Sequence, residues 1–392
     1  MYSRRFRFSE KWIYDKVIGV NAKTFRAISA LIGTVIGAGI FGIPYVIAQI
    51  GFFPGIFYLL ILGGLVLILN LIYGEIILRT PGDRQLTGYG KIYLGKWGKT
   101  LAALAIFVSA YGALLAYLIK TGEFLNLIFS GQTAVFFSLL FFIFSSLVLF
   151  FGLRIVSFFQ SALVIFLLGL IFLFAIFSVN KINPVNFSTV NLDFFFLPYG
   201  VILFALFGAS VIPEMEEILR NEPEKLKKAI SIGSLIPLFV YVLFAAVVVG
   251  VCGLKTSDDA VSGLAYFLPS WIVSLGAVLG VLTMSSSYLI LGYVLKEVWF
   301  RDFGISKLTS FLLAIFPPLV LFLLGARSFI SVLGITGAVM GGLEGVLIIL
   351  MYWRAKQIGK REPAYSLKLP KILLTALILV FILGLLSPIY GN

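Results

Sequence analysis

The sequence predicts an all-α, polytopic membrane protein of about eleven helices, and three observations carry that reading. Hydrophobic residues make up 60% of the 392, and the mean hydropathy is +1.09. Only 12% are charged, about half the ~25% of a soluble domain. Apolar runs long enough to cross a bilayer, roughly 20 residues each, recur from one end of the chain to the other.

Taken in order, the chain opens on a basic stretch, 1–23, read as a cytoplasmic tail. Its first long apolar run lacks a small-residue cleavage pattern, so no signal peptide is expected. Spans follow at 24–48, 52–78, 100–128, 133–152, 155–179, 197–218, 230–252, 271–298, 308–325, 328–353 and 371–388. The first five, within 24–179, are divided from the next five, 197–353, by an extracytoplasmic loop at 180–196. A cytoplasmic loop, 354–370, leads to the eleventh helix and an extracytoplasmic end, 371–392. The inner stretch Arg79 to Lys99 contains GYGKIYLGKWG, the pattern of a short helix on the membrane surface. In the outer stretch Lys255 to Pro269, Val261, Leu264 and Phe267 stand at helical spacing and suggest a re-entrant or capping helix.

Orientation follows from Lys and Arg, which concentrate on the cytoplasmic side. With the amino terminus inside, 26 of the 30 fall in inner segments; the others are Lys120, Lys181, Lys255 and Arg327. The protein is therefore expected in the cell (inner or plasma) membrane, amino terminus cytoplasmic. The net charge of +13 is spread over short loops and forms no single basic face, which argues against nucleic acid. With no histidine, the chain offers no His metal site, and the single Cys252 forms no intrachain disulfide.

The first span carries the most unusual stretch, GTVIGAGIFGIP from Gly33 to Pro44. Glycine in a helix interior costs about 1 kcal/mol relative to alanine and proline removes a donor. Broken helix is tolerated in a membrane only where it is buried in protein or lines a watery cavity. Span 6 repeats the theme in FALFGASVIPEMEE, Phe204 to Glu217, with small residues followed by Ile-Pro. Spans 1 and 6 run in opposite directions, so the second copy is inverted. Paired interruptions in two halves point to a transporter's binding site; the alternative is ordinary close packing of small residues.

An interrupted helix presents free amides at the positive end of its second half. The amides of Ala38, Gly39, Ile40 and Phe41 are thus candidates for a carboxylate. Carbonyls near Ile36 and from Phe204 to Phe207 are candidates for an ammonium. A zwitterion, an α-amino acid, matches that arrangement. Phe41, Tyr111, Phe204 and Phe207 are candidate lining residues. For a cation, Thr283, Ser286 and Ser287 share a helix face at i, i+3 and i+4; with the carbonyls of Gly33 and Ile36 they would form an oxygen cage for Na⁺. Glu344, among glycines in span 10, and Glu214, after Pro213, are the candidate carriers if the coupling ion is H⁺. Glu75 with Arg79, and Lys120 with Glu123, read as ion pairs.

On GTVIGAGIFGIP and FGASVIPEM the chain resembles the amino acid/auxin permease group of the amino acid–polyamine–cation superfamily, most of all its bacterial aromatic and hydroxy amino acid permeases. The resemblance covers Phe25 to Leu386. It implies a five-plus-five inverted repeat with discontinuous helices 1 and 6, one extra carboxy-terminal helix, and alternating access. It implies substrate contacts at Gly37, Ala38, Gly39, Phe207, Gly208 and Ala209, with Phe204 as an aromatic gate. Some superfamily members replace sodium with a lysine of span 5; here that span offers Ser157, Gln160 and Ser161.

The expected activity is secondary active import of a neutral amino acid, aromatic ones among the candidates, coupled to H⁺ or Na⁺, with no cofactor, no catalytic residue and no obligate protein partner. A membrane acyltransferase would want a histidine-based cluster that this chain lacks. A receptor or scaffold that keeps the fold without cycling is the remaining alternative.

Overall fold

The computed structural model describes residues 22–82, 84–129, 131–151 and 156–390. The amino-terminal tail expected at 1–23 lies outside them but for its last two residues. A helix stands at every predicted span. The first span is two helices, α1 (Ala22–Val35) and α2 (Gly39–Ile50), which meet at a bend of 56°. Then come α3 (Phe52–Arg79), α4 (Leu86–Ile128), α5 (Ala134–Phe151) and α6 (Val156–Ser178). The sixth span is again two helices, α7 (Leu197–Leu206) and α8 (Ile212–Ile218), separated by an extended Phe207, Gly208 and a 3₁₀ turn. The rest are α9 (Leu226–Cys252), α10 (Ser270–Glu297), α11 (Lys307–Leu323), α12 (Phe329–Ile358) and α13 (Lys371–Gly384).

Six of these spans are individually long and apolar enough to cross a membrane, and the α1–α2 pair qualifies only when joined. The outward face of α5 shows which solvent they meet. Phe136, Leu140, Ile143, Phe144, Leu147 and Phe150 share one exposed stripe, the opposite of what water selects.

The packing pattern repeats on exchanging the first five spans for the second five. The second spans of the two halves, α3 and α9, pack together, as do the third spans, α4 and α10. The contact of α4 with α12 answers that of α10 with α6, and α4 on α5 answers α10 on α11. The broken spans pack on each other, α2 against α7 and α1 against α8. This is the inverted repeat that the Gly-Pro echo announces, with α13 added against α12.

Local chemistry decides the connections. The expected surface helix forms the first part of α4, cut from the span by Gly95 at φ 72°. The expected helix in 255–269 is instead one 3₁₀ stretch, Ser262–Tyr266. Ser257 and Asp259 explain the difference: the Ser262 amide donates to Asp259 at 2.8 Å and the Gly263 amide to Ser257 at 2.8 Å. Such side-chain acceptors compete with helical carbonyls. The loop still caps the bundle, because Ala260, Val261 and Leu264 are wholly buried.

A strap crosses the opposite end. Glu75 is fully buried in α3 and bonded to Arg79 at 2.8 Å and to Lys356 at 3.0 Å. It also accepts from the Leu367 amide at 2.6 Å and the Ser366 hydroxyl at 3.2 Å. Tyr365 donates to the Leu71 carbonyl at 2.7 Å. The connection between α12 and α13 is thereby fastened to α3. Removing one partner of a buried ion pair costs about 3–5 kcal/mol. Glu75→Gln is expected to lower the unfolding temperature in detergent and to speed trypsin cleavage at Lys360 and Arg361. Unchanged cleavage would mean the strap does not depend on Glu75.

Candidate functional site

The break in span 1 consists of Ile36, Gly37 and Ala38. The Gly37 amide turns back to Val35 at 2.9 Å instead of reaching Gly33, and the amides of Ala38, Gly39 and Ile40 meet no backbone acceptor. On the carbonyl side, Gly33, Thr34 and Ile36 lose their helical donors, as do Phe204, Ala205 and Leu206 at the end of α7. Orphan donors and acceptors of two broken helices therefore gather at one level. Ile36, Ala38, Phe41 and Ala209 are all buried, and so are Gly37, Gly39, Ile40, Phe207 and Gly208. Phe204 is half-buried.

The glycines there do different things. A Cβ on Gly39 would lie 2.5 Å from the Ala205 Cα, so Gly39 lets α2 cross α7 at backbone contact. A Cβ on Gly208 would meet Leu31 at 2.5 Å and Val35 at 2.8 Å, so Gly208 seats α1. Gly37 is different: its Cβ would meet only the Tyr117 hydroxyl, at an ordinary 3.5 Å. Of the three, Gly37 borders space.

Two tyrosines absent from the sequence-based candidates reach this place. The Tyr117 hydroxyl of α4 borders Gly37. Tyr241 of α9, fully buried, has its hydroxyl 2.7 Å from the Val35 carbonyl and 3.0 Å from that of Ala205. The available signal was a phenol in mid-span, which in lipid must find a partner. Tyr111 is engaged elsewhere. Its hydroxyl donates to Leu313 at 2.8 Å and accepts from Trp299 at 3.1 Å, tying α4 to the α10–α11 junction.

The two sides of the break differ. Towards the end of α4, Phe41 meets Phe124 edge-on at 5.2 Å. Beyond it, fully buried Lys120 pairs with Glu123 and with Asp258 at 3.4 Å, its ammonium 4.4 Å above the Phe329 ring. Towards the start of α1, Lys23, Arg26 and Thr34 are exposed on one face with Ala30 and Gly33 half-exposed. A polar face of that kind belongs to water and not to lipid.

The ion candidates are distributed as follows. Thr283 and Ser286 are buried with unpartnered hydroxyls, whereas Ser287 is half-buried. The principal neighbours of α1 are α6, α8 and α9, and α10, which carries Thr283 and Ser286, is not among them. Glu344 is buried at 5% exposure with the Ser109 hydroxyl at 3.3 Å and no basic partner among the described residues. Glu214 is exposed on α8, so the structure separates two residues that the sequence treats alike. Ser157, Gln160 and Ser161 lie outside the described side chains.

The contrast between Gly37 and Gly39 is testable. Overpacking costs about 1–3 kcal/mol, and Gly39→Ala should show it as a lowered unfolding temperature in detergent. Gly37→Ala should leave that temperature in place and weaken amino acid binding. Equal thermal losses for both would contradict the assignment of free space to Gly37.

Comparison with known proteins identifies the fold and family. "Tyrosine-specific transport system 1" of Haemophilus influenzae is 26% identical over 361 residues, covering 87% of this chain and 90% of that protein. "Glutamine transporter 2" of Aliivibrio fischeri is 24% identical over 388 residues, covering 94% and 100%. Among solved structures, MhsT in complex with L-phenylalanine superposes with a TM-score of 0.66 over 93% of this chain and 98% of that one. At 14% identity that likeness speaks for the fold. The tryptophan/tyrosine permease family model matches residues 21–388. With its paired helix breaks and lipid-facing bundle, the chain belongs to the tryptophan/tyrosine permease family of membrane amino acid transporters.

Proposed function

We propose that the protein imports a neutral, aromatic amino acid by alternating access, in symport with H⁺ or Na⁺. The observation that carries this reading is the convergence of orphan amides and orphan carbonyls from two opposed half-helices in one buried place. The amides of Ala38, Gly39 and Ile40 suit a carboxylate, and the carbonyls around Ile36 and Phe204 to Leu206 suit an ammonium. Ile36, Ile40, Phe41, Phe204 and Phe207 offer apolar and aromatic walls for the side chain. Relatives named for tyrosine and for glutamine transport share the α-amino acid group and differ in what those walls would meet. The two repeats, 24–179 and 197–353, rock about the breaks in this reading. The amino terminus is cytoplasmic, as the Lys and Arg distribution supports.

Each coupling ion has a candidate seat. Glu344, an acid inside the membrane without a counter-charge among the described residues, suits a proton. The open hydroxyls of Thr283 and Ser286 suit sodium.

The direct test is a thermal-shift screen of the twenty amino acids with and without Na⁺. A ligand of the native state at 100 times its Kd adds about 2.7 kcal/mol, so an aromatic amino acid should give the largest upward shift. No shift from any amino acid would remove the site from the breaks. Uptake into proteoliposomes under separately imposed Na⁺ and pH gradients assigns the ion. Proton coupling through Glu344 predicts that Glu344→Gln abolishes pH-driven uptake but retains counterflow. Sodium coupling predicts instead that Thr283→Ala abolishes Na⁺ dependence. Binding without counterflow would favour the non-cycling receptor.

A further inference from the structure

The described residues give the two helix breaks one shared side-chain tie. The Tyr241 hydroxyl lies 2.7 Å from the carbonyl that ends α1 and 3.0 Å from the carbonyl of Ala205 near the end of α7. It comes from a third helix, α9, where Pro237 stands one turn earlier. The residue is wholly buried.

Proton counting gives this contact its meaning. A phenol has one donor hydrogen, and two carbonyls share it. The Val35 carbonyl has a second donor, the Gly37 amide at 2.9 Å; the Ala205 carbonyl has no backbone donor. Around them the carbonyls of Gly33, Thr34, Ile36, Phe204 and Leu206 are also without backbone donors. The ends of α1 and α7 are rich in acceptors, the free amides belong to the start of α2, and Tyr241 is the side-chain donor that reaches both carbonyl ends. The Gly39–Ala205 crossing positions α2 against α7 by shape; the end of α1 is seated through Leu31 and Val35 on Gly208 and Gly233 and is tied across to α7 by this hydroxyl.

We propose that Tyr241 is a positioning residue of the transport site. Its hydroxyl pins the end of α1 to the end of α7, keeps the break closed in the absence of substrate, and holds the acceptor carbonyls at the separation an ammonium requires. The role in ammonium recognition rests on the reading of the breaks as the substrate site; the pin itself does not.

The test uses the full-length protein in detergent with the single Cys252 replaced by Ala and Ile36→Cys as reporter, since Ile36 is 1% exposed. Alkylation by N-ethylmaleimide is measured with Tyr241 and with Tyr241→Phe, which keeps the ring. Without ligand, the Phe variant should react about tenfold faster, the population change expected for one hydrogen bond's net contribution. An unchanged rate overturns the pin. Protection by L-tyrosine is then compared with protection by 3-(4-hydroxyphenyl)propanoate, which lacks the ammonium. Tyr241→Phe should weaken protection by L-tyrosine and leave the effect of the deaminated probe unaltered; equal weakening of both overturns the ammonium role. If the ligand-free rate rises but no amino acid protects even with Tyr241 present, the pin stands and the substrate-site reading falls. A parallel melting curve separates a general loss of folding, which would expose Cys at unrelated buried positions as well.

Discussion

Inside a bilayer a peptide group cut off from its helical partner has no water to turn to, and two spans of this protein break at the same level. Much of the central packing answers that demand. Glycines at 39 and 208 bring the broken ends to backbone distance of their neighbours, and a phenol from α9 reaches two of the stranded carbonyls. What the protein leaves unanswered, the amides of Ala38 to Ile40 and several carbonyls, is the complement of a molecule bearing one carboxylate and one ammonium.

The closure around that place is lopsided. On one side an aromatic contact, a buried ammonium among carboxylates, and a well-packed 3₁₀ cap lie in series. The other side is bounded by the polar face of α1. Its neighbours there are α6, α8 and α9.

The backbone part of the site was legible in the sequence and the side-chain part was not. Gly37, Gly39, Gly208 and the two Ile-Pro pairs announce a break by chemistry that no packing can override, so position and inversion followed from them. Tyr111 and Tyr117 show the limit. They are six residues apart on one helix, which at about 100° per residue points them roughly 120° apart. Which of them faces the break depends on how α4 is rotated, and neighbouring helices set that. Tyr241 was invisible for the same reason. The helix expected in 255–269 failed differently: apolar spacing was right for burial, yet Ser257 and Asp259 captured the amides that a helix would have used.

The strap at Glu75 has a bearing on biosynthesis. A carboxylate entering a membrane needs its partner early, and Arg79, one turn away on the same helix, is available as soon as α3 is made. The other donors, Lys356, Ser366 and Leu367, lie in or beyond α12, the last two 291 and 292 residues downstream, so they arrive only after most of the bundle has been made. The local pair thus lets α3 be inserted, and the distant donors join it later. Glu75 thereby links the second span to the loop after α12, and occupancy of all its donors marks a bundle in which these two parts have met.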